Sequence, residues 1–516
     1  MQIGVDLGTT NSVVARLDEN GDPEILENER GERKTPSVVQ FPDDGGVIVG
    51  TTAKNNRMSA PDRTVQRVKR HMGDEDWAVE IDGEEWGPEA ISAEILKKLV
   101  ADAEEATGDE VEDIVVTVPA YFGPKERNAT VNAAKIAGLE EEDVELLNEP
   151  TSACLRYGIG DTGAGTVFVY DMGGGTFDAT LMNVTPDGGF EVEGVKGGQR
   201  LGGEDFDDEL YDHVRGEMID AGHPDPEDNS ALKADIYEKL TNLKHDLSQT
   251  ESGSVSIMVG PGDSFNVDLT RDEFDEMTEH LVDETFDYVD ALFDHEKVDA
   301  AREDVDELLL VGCSTRIPKV QERVEDYFGM EPSKGVDQDY VVAEGAAIQT
   351  ELEPQGGGGG DEGDEGDDGG DGTSGKIVLP RDIGLKTVDP DSDKEMFEMI
   401  LSEQTSVEAS ESKRGFHKVD KQSPKITIEI LEGGKALAEE NDKLGEFELK
   451  NLDEGADPEF EVTFTVDEEG KLHAEATNLD TGRTAETTLE IGLTEQEIED
   501  QIQRSEQKHA DTVTRD

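Results

Sequence analysis

The octapeptide Asp171-Met172-Gly173-Gly174-Gly175-Thr176-Phe177-Asp178 combines two carboxylates, a hydroxyl and three consecutive glycines. It follows the apolar run Thr166–Tyr170, which places Asp171 at the end of a buried strand. Glycines carry no Cβ, so the backbone can turn tightly and come close to a ligand. A run of free N–H groups in such a turn forms a nest for an anion. Carboxylates beside that nest make sense if a hydrated Mg²⁺ sits between them and a phosphate. Taken alone, the stretch reads equally well as a Gly-rich hairpin turn. A second copy changes the balance: Ile3-Gly4-Val5-Asp6-Leu7-Gly8-Thr9-Thr10 repeats the order of strand, Asp, glycine and threonine. Two such turns imply a duplicated domain that grips one nucleotide phosphate tail from both sides.

Other candidates lie around these turns. Lys69 and Arg70 are adjacent cations, readable as two solvated surface charges. In so acidic a chain such a pair is scarce, and a lysine between two phosphate turns would stabilise developing charge and place an attacking water. Glu149 lies at the carboxyl end of the short strand Glu145–Pro150, where ligand groups of open α/β sheets sit, although an ordinary N-terminal helix carboxylate before Pro150 is the plainer reading. Gly202-Gly203 offers a further backbone approach to phosphate or an ordinary loop. Lys244 and Ser248 share one face of a helix, and Arg316 follows a strand-to-helix turn where it can stack on a flat base. No Walker A lysine motif occurs, which excludes a P-loop enzyme.

The elements that must hold these residues are legible as patterns. Pro88 opens a helix whose apolar face carries Ile91, Ile95, Leu96, Leu99 and Val100. Ile114–Val118 is a buried strand stopped by Pro119, and a helix from about Lys125 ends near Gly138. The second half repeats the scheme, with strands at 166–171, 178–184 and 190–195 and helices over 231–248 and 271–293. Lys425–Ile430 and Phe460–Val466 alternate apolar and polar residues, the latter running into the turn Asp467–Gly470, which predicts an antiparallel β-sandwich.

With 516 residues the chain is long enough for two to four domains. Its formal charge of −79, from 125 acidic and 46 basic residues, disfavours nucleic acid and anionic membranes as partners. That charge suits hydration and solubility in concentrated salt, where self-repulsion is screened. Cys154 and Cys313 are too few for a disulfide framework, and the nine histidines show no metal-ligand spacing. The chain starts directly in a strand, without a leader, and no run approaches about 18 apolar residues, so a cytoplasmic location is expected.

Assembled in this order, the motifs resemble the DnaK-type heat-shock chaperones of the seventy-kilodalton class, within the actin-like ATPase superfamily. Ile3–Ser12 and Asp171–Asp178 are similar to that family's two phosphate motifs, Thr117–Phe122 and Asn148–Ser152 to its connecting segments, and Leu310–Pro318 to its adenosine motif. The resemblance implies a two-lobed α/β actin-like ATPase domain, an all-β sandwich that binds peptide, and ATP, Mg²⁺ and K⁺ as ligands. It assigns Lys69 to positioning water and γ-phosphate, and Glu149, Asp171 and Thr176 to organising water and metal. Asp6 and Asp171 would hold hydrated Mg²⁺, and Asp178 would help to hold K⁺. Gly8, Thr9, Thr10, Gly173, Gly174, Gly202 and Gly203 would line the phosphates, while Glu204, Lys244, Ser248, Gly312, Arg316 and Asp339 would surround ribose and adenine. Pro119 and Arg127 match positions that relay nucleotide state between domains. Ile426, Ile428, Met396 and Phe416 match the peptide pocket, although alternating isoleucines ordinarily mean core. Two departures stand out: His245 replaces a long adenine-stacking side chain, and Cys313 replaces the second glycine of the adenosine turn.

The implied domains are 1–354 for the ATPase, 355–379 for a linker, 380–493 for the sandwich and 494–516 for a short helix. Residues 356–375 hold eleven glycines interleaved with acids, a coil of roughly 25 Å root-mean-square span. The family's linker is a leucine-rich stretch, matched here only by Ile377-Val378-Leu379, so weakened or rerouted coupling is expected. Thr494-Glu495-Gln496-Glu497 is a capping box, and a chain ending at Asp516 implies a lid absent or reduced to one helix, with faster client exchange. The function so implied is an ATP-dependent chaperone for exposed apolar segments of unfolded proteins, aided by a J-domain protein and a GrpE-like exchange factor. Two rivals are a small-molecule kinase of the same superfamily and a holdase that binds ATP without hydrolysing it.

Overall fold

The computed structural model describes residues 1–43, 45–159, 165–185, 188–352, 378–389, 392, 394–406, 409–450, 452, 457–467, 472–488, 493 and 495–513. The expected linker apart from Val378 and Leu379, the turn residues 468–470 and the capping Thr494 lie outside these described residues.

The N-terminal part consists of two lobes built on one plan. In the first, β1 (Gln2–Asp6) pairs antiparallel with β2 (Asn11–Leu17) and, beyond α1 (Pro88–Thr107), parallel with β3 (Asp113–Val118). Then follow α2 (Pro124–Ile136), β4 (Val144–Asn148) and α3 (Glu149–Tyr157), and the sheet runs β4-β3-β1-β2 before the short strand Pro23–Ile25. In the second lobe β5 (Thr166–Met172) pairs antiparallel with β6 (Phe177–Val184), which pairs with β7 (Phe190–Gly198). After α4 (Gly203–Asp220), α5 (Ser230–Gln249) and α6 (Arg271–Phe293), β8 (Glu307–Val311) joins β5 in parallel, and α7 (Val341–Gln349) ends the lobe. Each lobe therefore has a central strand with an antiparallel partner on one side and a parallel one on the other. Asp6 ends the first of these strands and Asp171 is the next-to-last residue of the second.

The predicted amphipathic faces supply the packing. Ile91, Ile95, Leu96 and Leu99 of α1 are buried with β1 and β3 in one core, and Phe168, Tyr170, Leu210, Leu240 and Phe286 form the other. Gly138, expected to end a helix, has φ +95° and follows the α2 cap residue Ala137. Helix α7 crosses back onto the first lobe, where a methyl on Gly4 would lie 2.2 Å from Ala347 N and one on Gly345 would lie 1.8 Å from Ser152 O. Only glycine permits that approach.

Two four-stranded antiparallel sheets follow. One has the order β10-β9-β12-β13, from β9 (Ile383–Val388), β10 (Glu395–Leu401), β12 (Lys425–Glu432) and β13 (Asp442–Lys450). The other is β11-β14-β15-β16, from β11 (Ser410–Phe416), β14 (Phe460–Val466), β15 (Leu472–Asn478) and β16 (Arg483–Thr488). Phe460, Val462, Phe464 and Val466 alternate into the core as the pattern of β14 requires. In β12 a register shift between Ile430 and Leu431 breaks the alternation, so Leu431 and Glu432 are both buried.

The sandwich is docked on the two N-terminal lobes. The Gln404 amide accepts from Val195 N at 2.9 Å and donates to Val195 O at 2.6 Å, an imitation of a neighbouring strand. Gln404 holds a left-handed φ of 56° to do so. Lys196 pairs with Glu403 at 2.6 Å beside it. The last described helix, α8 (Glu495–Val513), lies along α1 and α2: Ile498 packs with Ala93 and Ile136, Ser505 and His509 meet the buried Glu94, and Lys508 pairs with Asp82.

Candidate active site

The two glycine turns meet face to face. Four residues separate β5 from β6, and the hairpin closes with Gly173 N–H donating to Thr176 O at 3.0 Å. The hairpin reading therefore holds for the backbone. Asp178 lies directly opposite Asp171 in the ladder. A methyl on Gly174 would lie 2.0 Å from Thr10 Oγ1, and one on Gly175 would lie 2.5 Å from Thr9 Cγ2.

Behind the turns, Asp6, Glu149, Asp171 and Asp178 are gathered around the ammonium of Lys69, with which Glu149 pairs at 2.6 Å. Lys69 is 6% exposed, which removes its reading as a solvated surface cation. Glu149 satisfies both sequence readings, since it follows β4 and is the first residue of α3. Burial, and then Glu149, raise the Asp6 carboxyl to about 7. Asp171 and Asp178 are raised for the same two reasons, Asp178 being partly relieved by the Tyr121 N–H at 3.1 Å. Burial alone would lower Lys69, but Glu149, Asp6 and Asp171 hold it above its usual value and therefore ionised. Three buried carboxylates and the half-buried Asp6 around one ammonium leave an excess of negative charge that a divalent cation would relieve, so the donor set fits a metal–phosphate site.

Between the turns lies a cavity of about 90 Å³ bordered by Asp6, Gly8, Thr9, Thr10, Lys69, Glu149, Asp171, Gly173, Gly174, Thr176, Gly312, Cys313 and Asp339. Ligand pockets for whole cofactors are several times larger, so the lobes stand closed. Interlobe ion pairs close them: Arg67 meets Glu204 at 3.0 Å and Asp208 at 3.4 Å, and Arg70 meets Asp205 at 2.5 Å.

Several predicted ligands lie elsewhere in this closed arrangement. The N–H groups of Gly203 and Glu204 donate to Gly173 O and Gly174 O at 3.0 and 2.7 Å, and that of Gly202 donates to Asp205 Oδ2 at 2.7 Å, so in this arrangement neither glycine N–H is open to phosphate. Glu204 accepts from Thr10 Oγ1 at 3.2 Å, on the phosphate side rather than beside a ribose. Lys244 is buried against Asp207 at 2.8 Å, and Ser248 Oγ donates to Lys244 O at 3.2 Å. Arg316 pairs with Asp337 and Asp339 at 2.6 and 2.8 Å, one through each terminal nitrogen of its guanidinium. His245 is exposed on α5. Lys34, which the sequence reading passed over, borders the same cavity and reaches Asp339 at 2.5 Å. The scarcity of cations that singled out Lys69 would have found it too.

The remaining predicted groups separate into two places. Arg127 is buried and donates through Nε to Phe122 O at 3.1 Å and through Nη2 to Asn148, while Pro119 is buried at the end of β3. Its neighbour Glu126, which no pattern marked, is the one that reaches the sandwich. Ile428 is a core residue of the sandwich; Ile426 and Phe416 pack together against Leu449, Leu452 and Phe460. Met396 lies apart on β10, bridged to Leu437. Ile426 and Phe416 also pack against the core cluster that contains Ile428, so only Met396 is set apart from the other three, and the plain core reading holds for Ile428.

Among the described residues no helix is long and apolar enough to cross a membrane. The family model described as Hsp70 protein matches residues 2–516. Proteins named chaperone protein DnaK from two strains of Halobacterium salinarum are each 38% identical to the chain, covering 99% of it and 78% of their own length. With the duplicated lobes, the facing glycine turns and the buried carboxylates in place, the chain belongs to the Hsp70 family.

Proposed function

We infer that the chain is an ATP-dependent molecular chaperone, an ATPase whose hydrolysis governs binding and release of exposed apolar segments of unfolded proteins. Membership of the Hsp70 family and the DnaK relatives support the activity and the clients. The observation that carries the chemistry is the gathering of Asp6, Glu149, Asp171 and Asp178 around the buried Lys69, at the junction of two glycine turns.

The triphosphate lies between the turns, with Gly8, Thr9, Thr10, Gly173 and Gly174 along it. Glu149 and the hydroxyl of Thr176 orient a water in line with the γ-phosphorus. The Lys69 ammonium, kept charged by its carboxylates, faces the developing negative charge. Asp6 and Asp171 are the residues that would hold Mg²⁺, with Asp178 helping to hold K⁺; bound cations neutralise phosphate charge there. Lys34, Gly312, Cys313 and Asp339 border the end towards the base. We place the ATPase domain at 1–354, the linker at 355–379, the sandwich at 380–493 and the terminal helix beyond. A J-domain protein and a GrpE-like exchange factor are the partners the family implies, in the cytoplasm and in concentrated salt.

Phosphate release measured in molar KCl, with and without an unfolded peptide, tests this reading. ATP turnover is expected and is abolished in Asp171→Asn. A phosphorylated small molecule instead of free phosphate would make the chain a kinase, and binding without turnover would make it a holdase.

A further inference from the structure

Where the sandwich meets the first lobe, one guanidinium serves three carboxylates. Arg381 Nη2 lies 2.6 Å from Glu126 Oε1 but 3.5 Å from Glu432 Oε2, and Nη1 lies 3.4 Å from Asp442. Glu126 is well supplied, for it also accepts from Gln199 at 2.7 Å and from Gly123 N–H at 3.1 Å. Glu432 is not. It is 1% exposed, and its Oε1 has no hydrogen-bond partner. That oxygen points at the backbone of Gly123, where a methyl would stand 2.4 Å away. Gly123 has φ −78°, a conformation open to any residue, so its want of a side chain serves the contact rather than the backbone.

A buried carboxylate oxygen with no donor is costly as an anion and cheap as an acid. The groups around it do not reverse this. From the sandwich come Arg381, which favours the anion, and Asp442, which opposes it. From the first lobe come Lys125, which favours the anion, and Glu126, which opposes it. Asp382, paired through its backbone with Gly433, and Tyr121, which senses Glu126 and Arg381, complete the surroundings.

We propose that Glu432 is a proton-operated latch between the domains, which closes on Gly123 as the neutral acid and opens when the carboxyl ionises into water. Burial, ahead of Glu126 and Asp442, raises this carboxyl to about 8 in the docked molecule, against an ordinary 4.5 once released. Docking therefore takes up a proton, and the ratio of docked to undocked molecules falls as pH rises through that interval. Between about pH 6 and about pH 9 the fall is about ninetyfold by linkage. This goes beyond nucleotide control of the domains, because the ligand that drives it is hydronium.

Small-angle X-ray scattering of the full chain in molar KCl across that pH range, with magnesium ATP and again without nucleotide, reads the compact fraction. The wild type is expected to expand as pH rises in at least one of these conditions, and Glu432→Gln to stay compact throughout. Gly123→Ala is expected to be extended at every pH with its phosphate release intact, since the added methyl meets Glu432. Gln404→Ala removes a docking contact away from the charges, so it should lower the compact fraction at all pH values while keeping the wild-type slope. A wild-type profile flat in both conditions, or a Glu432→Gln profile with the wild-type slope, overturns the proposal.

Discussion

Replacing Lys69 separates a catalytic lysine from a structural one, because the two predict opposite signs for one measurement. The side chain is buried, pairs with Glu149 at 2.6 Å, and is the counter-charge to Asp6, Asp171 and Asp178. Lys69→Met keeps the aliphatic stem and deletes the charge. Loss of one preorganised donor to developing phosphoryl charge costs about 3–4 kcal/mol, a fall in kcat of about a hundredfold to a thousandfold. Removing one partner of a buried ion pair would ordinarily cost about 3–5 kcal/mol of stability. Here the cost is smaller, since Asp6 already titrates at about 7 and its neighbours are raised as well, so protons replace the lost charge. With the ammonium gone, a divalent cation meets less repulsion, and its affinity should rise several-fold above neutral pH. The assays are single-turnover phosphate release and calorimetric titration of Mg²⁺ into the nucleotide-free protein. Turnover within threefold of wild type, or a fall in metal affinity together with turnover, would refute the reasoning, the latter marking Lys69 as a prop for the pocket.

Gly174→Ala should fold normally yet weaken ATP binding at least tenfold in a fluorescent-nucleotide titration, because the new methyl would lie 2.0 Å from Thr10 Oγ1. Asp6 carries a folded-state value of about 7 against an unfolded 3.8, so the native state binds the extra proton; stability of the nucleotide-free protein should decline from about pH 4 to about pH 7, checked by melting temperature. Binding of Mg²⁺–nucleotide should correspondingly release protons near neutral pH, visible as buffer-dependent calorimetric heats. With a formal charge of −79, the chain should lose melting temperature steadily as KCl is diluted from molar to millimolar, and an unchanged value would remove the salt-adapted reading.

What could be read from the chain was whatever rests on local pattern. The two Asp-Gly-Thr turns, the apolar stripe of α1 and the alternation of β14 each declare themselves within a few residues. Duplication was legible for the same reason, and it appears as two sheets with one pairing scheme. Roles that depend on what a side chain meets across the fold were not legible. Gly202 and Gly203 looked like phosphate ligands, but their helix spends its N–H groups on the hairpin carbonyls. Ile426, Ile428, Met396 and Phe416 matched a pocket, yet sheet packing draws the first, second and fourth into one core cluster and leaves Met396 apart. Glu126, Arg381 and Glu432 lie far apart in sequence within unremarkable surroundings, and only docking gives them a common charge problem.

The close crossing of α7 over the first lobe has a mechanical corollary. Backbone rests on backbone at Gly345 and Ser152, tied by Ser152 Oγ donating to Val342 O and by Arg156 pairing with Glu344, both at 2.5 Å. So tight and small a joint behaves as a pivot. Swinging about it moves atoms in proportion to their distance, so the acids beside β1 travel little while the rim bearing Arg67 and Glu204 travels far. The jaws can gape for a guest at their outer edge and still keep their inner teeth aligned.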